Sequence, residues 1–224
     1  MASGTDAGAT RMTRRRVETR RRLIDAAYEV FAEVGIRDAP VELICEHAGF
    51  TRGAFYSNFA SKEELFLAVY REQTATRVRR LRAAVEHAVD AVDPDAPDAP
   101  DASTAIIQRA GLAFMNSLAS DKTWHLLCTE FFAQALRQRE LHAPVAAAKT
   151  VFHDALAEIL QYMLEHTGLR LAVEPHSAVL TVVKLYETML DNAILDELPD
   201  TADSRYVTDV LPRLFAALLV PSND

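Results

Sequence analysis

Residues 42–65, ELICEHAGFTRGAFYSNFASKEEL, decide how the rest of the chain is read. Val41, Ile44, Cys45 and Ala48 recur at i, i+3, i+4 and i+7, which is one apolar face of a short helix. Gly49 ends that helix, because a residue without a Cβ enters the left-handed conformation at little cost. Phe50 is a core contact, and Thr51 can cap a second short helix with its hydroxyl. That helix runs through Tyr56. Phe55 and Phe59, four apart, anchor it to the core and leave Arg52, Gly53, Ser57 and Asn58 on surfaces able to meet DNA. Ser61-Lys62-Glu63-Glu64 is a capping box, whose hydroxyl and carboxylate satisfy orphan amides at the start of a third helix. Two short helices, a glycine turn and a capped follower make a helix-turn-helix.

Upstream, Leu23, Ile24, Ala27, Val30, Phe31 and Val34 recur at three- and four-residue spacing and predict a helix over 17–34, ended by Gly35. Residues 1–12 are small, polar or basic and are expected to form a disordered arm. Arg11, Arg14, Arg15, Arg16, Arg20, Arg21 and Arg22 crowd the entry of that first helix. Beside a helix-turn-helix such a density fits phosphate contact or a minor-groove arm. The bland alternative is a solvated charge run, and a polybasic membrane patch is a third reading that lacks any lipid anchor.

From 20 to 70 the chain resembles the tetracycline-repressor (TetR/AcrR) family of bacterial transcriptional regulators. The family pattern of Ser or Thr, then Arg-Gly, a small residue, an apolar residue, Tyr, two variable positions, Phe and soon Ser-Lys-Glu is present as TRGAFYSNFASKEEL, preceded by RRLIDAAYEVFAEVG. The resemblance implies that Thr51, Tyr56 and Lys62 touch phosphate, and that Arg52, Gly53 and Ser57 approach base edges. Two positions depart from the pattern: Pro40, where a hydroxyl residue usually opens the second helix, and Asn58, where His or Tyr is common. Beyond 70 the resemblance is architectural, implying a helical effector-binding and dimerisation domain.

Composition agrees with that division. The net charge of −8 would argue against a nucleic-acid partner if it were uniform. Residues 1–82 hold 15 Lys and Arg against 11 Asp and Glu, a balance of +4, and the remaining 142 hold 9 against 21, a balance of −12. A basic part on an acidic body fits one module that meets phosphate and another that does not. Cys45 and Cys128 are far apart, without CxxC or Cys/His spacing, and are expected to be reduced core thiols rather than a zinc site or disulfide. No run approaches a membrane span and no signal peptide opens the sequence, so a cytoplasmic protein with no membrane partner is expected.

The second half predicts helices over 62–90, 103–119, 122–139, 142–166 and 175–196, and a last one over 203–219 kinked at Pro212. VDPDAPDAPDA at 92–102 is read as a loop. The fold class expected is all-α, about nine helices and no sheet: an arm at 1–12, a three-helix helix-turn-helix domain at 13–62 and a helical ligand-binding and dimerisation domain at 63–224.

An enzyme is the rival class. GxGxxG, Walker A, HExxH, GxSxG and Glu-x-x-His patterns are absent, so no catalytic residue, metal ligand or cofactor is assigned. His125, His142, His153, His166 and His176 are read as surface or hydrogen-bonded histidines. Phe114, Trp124, Phe131, Phe152, Met163, Tyr186 and Met189 are read as candidate lining of an effector pocket, against the plain alternative of core packing. Together with the resemblance, which implies effector binding and dimerisation, the sequence predicts a DNA-binding regulator, a repressor released by a small apolar effector and acting as a homodimer on a palindromic double-stranded operator. The alternative is an activator, or a regulator without an effector.

Overall fold

A computed structural model describes residues 5–91, 106–107, 109, 122–198 and 210–222, with side-chain surroundings from residue 14 onward except at 211 and 212. The described residues form α1 (Thr5–Asp38), α2 (Val41–Ala48), α3 (Arg52–Tyr56), α4 (Lys62–Asp90), α5 (Lys122–Ala135), α6 (Arg139–Glu165), α7 (Pro175–Leu195) and α8 (Leu211–Ala217). The fold is all-α, and its only departure among those residues is a pair of three-residue strands, β1 (Leu169–Leu171) and β2 (Leu219–Pro221).

Two compact units share the chain. The first takes Met1–Gln73 and Leu126–Val145, the second Thr74–His125 and Ala146–Asp224. The first unit has an aromatic core. Phe66 stands 5.9 Å from Phe31 and 4.3 Å from Phe131, centroid to centroid, and Tyr70 meets Phe132 edge-on at 5.4 Å. Leu23, Val30, Ile44, Phe55 and Phe59 are buried in the same unit. Residues from α4 and α5 therefore complete the interior beneath the helix-turn-helix, and the compact unit extends past the division at 62.

In the second unit, Leu81, Val85, Leu156, Met163, Val179 and Val183 form one cluster, and Tyr186, Met189 and Leu190 form another. Glu174 caps α7, accepting from the amides of His176 and Ser177 at 2.8 Å each, and Pro175 takes the first turn, where its missing N–H costs nothing. Those two amides hold the Glu174 carboxyl below its ordinary pKa.

Several expectations need correction. α1 begins at Thr5 instead of 17, so the helix enters the expected arm; residues 5–16 lack an apolar stripe, but no proline precedes Pro40 to stop a helix. α5 ends at Ala135 and α6 starts at Arg139, with Pro144 already in its early part. A small sheet exists although none was expected: Leu169 pairs with Pro221, Arg170 with Val220 and Leu171 with Leu219, antiparallel. Of the last helix, expected over 203–219, only Val210 onward is described, with α8 at Leu211–Ala217 and Val210 before it already helical; the part before Val210 lies outside the described residues. The expected loop at 92–102 and most of the helix expected at 103–119 lie outside the described residues.

Candidate nucleic-acid interface

The turn between α2 and α3 follows from Gly49. Its φ of 70° and ψ of 36° are left-handed, its amide donates to Glu46 O at 3.0 Å, and the Phe50 amide donates to Cys45 O at 2.8 Å. This is a Schellman closure, which satisfies carbonyls that α2 would otherwise leave open. Thr51 is extended, and its Oγ1 accepts from the Ala54 amide at 3.3 Å, so the hydroxyl caps α3. Burial holds the Cys45 thiol pKa above its ordinary value, which makes it an inert core thiol.

α3 is five residues long and is held from behind. Phe55 and Phe59 are buried, with ring centroids 6.0 Å apart. On the other side Arg52, Gly53, Tyr56 and Ser57 are exposed. Arg52 Nη1 donates to Glu42 Oε1 at 2.7 Å, and its guanidinium stands 5.8 Å from the Tyr56 ring centroid. Tyr56 first, then Glu42, raises the Arg52 pKa further above its ordinary value. Arg52, expected at base edges, therefore already has an acidic neighbour from α2.

Ser57, although exposed, and Asn58 both direct side-chain donors to the backbone of α3. Ser57 Oγ and Asn58 Nδ2 both donate to Ala54 O at 2.8 Å, capping the end of α3. Asn58 Oδ1 is buried without a hydrogen-bond partner among the described residues. Two arginines of the N-terminal run fasten this end: Arg20 Nη1 donates to Asn58 O at 2.9 Å with its guanidinium 4.1 Å over Phe59, and Arg16 Nη2 reaches Ser57 O at 3.5 Å. Arg14 and Arg15 are exposed. The basic run thus does two jobs, with Arg20 and Arg16 on α3 and Arg14 and Arg15 in solvent.

Lys62 is similarly engaged. Its Nζ donates to Arg37 O at 2.8 Å and to Ala39 O at 3.0 Å, closing the α1–α2 turn, while a third N–H can still face phosphate. Gly35, where the sequence ends the first helix, breaks α1 with a φ of 80° and a ψ of 167°, and the amides that follow the break are met by Glu130 of α5, which accepts from Ile36 N at 3.0 Å and from Arg37 N at 2.7 Å. The capping box forms with a shift, as Ser61 Oγ accepts from Glu64 N at 3.1 Å and Glu64 Oε2 accepts from Ala60 N at 2.7 Å.

The candidate pocket residues fall in different places. Phe131 is in the core of the first unit. In the second, Met163 belongs to the larger cluster with Phe152 packed against it, Tyr186 and Met189 to the smaller one, and Trp124 is buried with the Arg77 guanidinium 4.9 Å over its ring. Phe114 lies outside the described residues. Of the histidines, His125 Nε2 pairs with Asp191 Oδ1 at 2.7 Å and His176 Nδ1 with Asp154 Oδ1 at 2.9 Å. Among the described residues no group of three or more His, Cys, Asp or Glu could hold a metal ion. No helix there is long and apolar enough to cross a membrane.

Sequence reasoning missed Glu42, Arg20 and Glu130 as partners in this surface. Glu42 carried a local signal, an acid in the first turn of the helix that precedes a basic recognition helix. Glu130 carried none, since its partners are 93 and 94 residues away.

The sequence model of bacterial regulatory proteins of the tetR family matches residues 23–69. The HTH-type transcriptional regulator SrpR of Pseudomonas putida is 52% identical over 52 residues, 23% of this chain and 24% of that protein. The HTH-type transcriptional regulator UidR of Escherichia coli is 30% identical over 132 residues, 54% of this chain and 66% of that one. The chain thus covers less than two thirds of the length of these relatives. A crystal structure of a TetR-family transcriptional regulator from Mesorhizobium loti superposes with a TM-score of 0.69 at 19% identity, over 92% of this chain and 98% of that one, a likeness of fold.

Proposed function

Because the chain belongs, through its helix-turn-helix domain, to the TetR family of bacterial regulatory proteins, we propose that it regulates transcription by binding a double-stranded DNA operator with α3 in the major groove. The observation that carries this reading is the exposed face of α3. Arg52, Gly53, Tyr56 and Ser57 stand outward on a helix whose other side is locked by Phe55 and Phe59. A short, rigid, polar and cationic helix, capped by Thr51 at a left-handed glycine turn, suits insertion into a groove. Arg14, Arg15 and the remaining N–H of Lys62 are placed to neutralise phosphate.

In this reading the protein binds as a homodimer, because a recognition helix of five residues offers few side chains to base edges and a two-fold pair doubles the sequence read. Leu180, Leu195 and Leu214, large apolar residues exposed on α7 and α8, support such an association. The operator is then an approximate palindrome with half-sites ~34–36 Å apart. The protein acts as a repressor released by a small apolar effector taken up in the second unit, whose interior is built of aliphatic, aromatic and Met side chains. An effector can release DNA only by preferring a conformation that binds the operator poorly, so the operator weakens effector binding by the same factor. Selection of bound fragments from bacterial genomic DNA with the purified chain tests the reading: recovery of one shared palindromic sequence supports it, and random recovery contradicts it.

A further inference from the structure

The pairing of Glu42 with Arg52 gives the recognition surface an acidic component that a helix reading phosphate alone would not need. Glu42 is the second residue of α2 and Arg52 the first of α3, and the turn at Gly49 brings Oε1 and Nη1 to 2.7 Å. Their side chains are 57% and 60% exposed, so the pair adds little to stability in water. Its consequence arises when the face enters a groove lined by phosphates. There a carboxylate is repelled unless it accepts a hydrogen bond from a base. In the major groove the donors are the amino groups of cytosine and adenine, and carboxylates pair with cytosine N4.

The two side chains divide their bonding capacity in a way that suits adjacent bases. The guanidinium has five N–H donors, and one bond to Glu42 leaves its fork able to take guanine O6 and N7. The carboxylate has about four lone-pair sites, and one bond from Arg52 leaves others open. Tips 2.7 Å apart match neighbouring base pairs, stacked at about 3.4 Å along a strand. We infer that Glu42 is a specificity-determining residue that orients Arg52 toward a guanine and itself accepts from the amino group of a cytosine in the neighbouring base pair. It thereby penalises every duplex lacking that donor. The inference rests on the DNA-binding reading above.

The test uses the full chain, its selected duplex, all single base-pair variants of one half-site and an unrelated duplex. Arg52→Ala identifies the guanine by abolishing preference at one base pair. At the neighbouring pair, Glu42→Gln is expected to lose about tenfold of the discrimination for cytosine and to shift preference toward adenine, which a Gln amide reads bidentately. The same variant should bind the unrelated duplex more tightly than the wild type does. Glu42→Ala should lose the cytosine preference without gaining one for adenine. Unchanged preference at the neighbouring pair in both Glu42 variants overturns the inference, as does a uniform change in affinity for all duplexes. If the wild type prefers no duplex, the DNA-binding reading itself fails, which separates the two failures.

Discussion

Gly49 and Gly53 lie four residues apart in one motif and meet opposite demands. Gly49 has a φ of 70°, and a Cβ there would come 3.0 Å from Arg22 Nη2. Gly49→Ala is therefore expected to destabilise the first unit by about 1–2 kcal/mol, the cost of a left-handed L-residue, read as a lower denaturant midpoint. Gly53 has no such φ, and its added Cβ would meet Thr51 Oγ1 at an ordinary 3.7 Å. Gly53→Ala should leave folding unharmed or raise stability by up to ~1 kcal/mol, since alanine is the better helix former, while the methyl group on the exposed face weakens operator binding. Loss of stability in Gly53→Ala, or undiminished DNA affinity, would contradict this placement. His153 gives a pH dependence. Burial first, then Lys149, lowers its pKa from the ordinary 6.5, and His176 and Lys184 act in the same direction against Glu187. Above that value the ring is neutral in both folded and unfolded chains. Below it, the unfolded chain takes up a proton that the folded chain refuses, so stability is lost as pH falls below about 6.5. Denaturation at about pH 7.5 and about pH 5.5 should show a smaller loss in His153→Leu than in the wild type.

At the scale of elements, the short helices were legible and their attachments were not. The α2 stripe, Gly49, the Thr51 cap and the Ser61 cap each act within about five residues, so local pattern and chemistry carry them. Arg20 on Asn58, Lys62 on Ala39 and Glu130 on Ile36 bridge separations of 38, 23 and 94 residues, which no periodicity reveals. The same holds for β1 and β2, two three-residue strands too short to announce themselves whose pairing spans some fifty residues of chain. Phe131 was grouped with pocket candidates because a buried aromatic on a helix looks alike from sequence whether it lines a cavity or fills a core. Its place against Phe66 predicts that Phe131→Ala costs about 3–5 kcal/mol of stability in the first unit, measurable by denaturation without any ligand. A variant as stable as the wild type would restore the lining role. Glu130→Ala strips an acceptor from the amides of Ile36 and Arg37 and should cost about 1–3 kcal/mol. Glu130→Gln should recover part of that, because its amide oxygen still accepts one bond.

At the scale of the whole molecule, the charge division proved more telling than the total. A chain of net charge −8 carries its recognition helix in a part with a balance of +4, and the exposed Arg14 and Arg15 stand in that part. Proposed phosphate contacts imply counterion release, so operator affinity should fall linearly in log-log form as salt rises, and Arg14→Ala with Arg15→Ala should lower the slope by about 2. The proposed homodimer predicts a sedimentation mass that changes with concentration, since Leu180, Leu195 and Leu214 would be covered only in the assembly; a constant monomeric mass would contradict it. The central claim, that the exposed face of α3 reads DNA, is tested most directly by equilibrium binding of the full chain and of Arg52→Ala to the selected operator and to a shuffled duplex of equal composition. The account predicts that the wild type binds the operator ~10³-fold or more above the shuffled duplex, and that Arg52→Ala loses a large part of this ratio while keeping its affinity for the shuffled duplex within a few-fold. Equal binding of both duplexes by the wild type, or an unchanged ratio in Arg52→Ala, would contradict it.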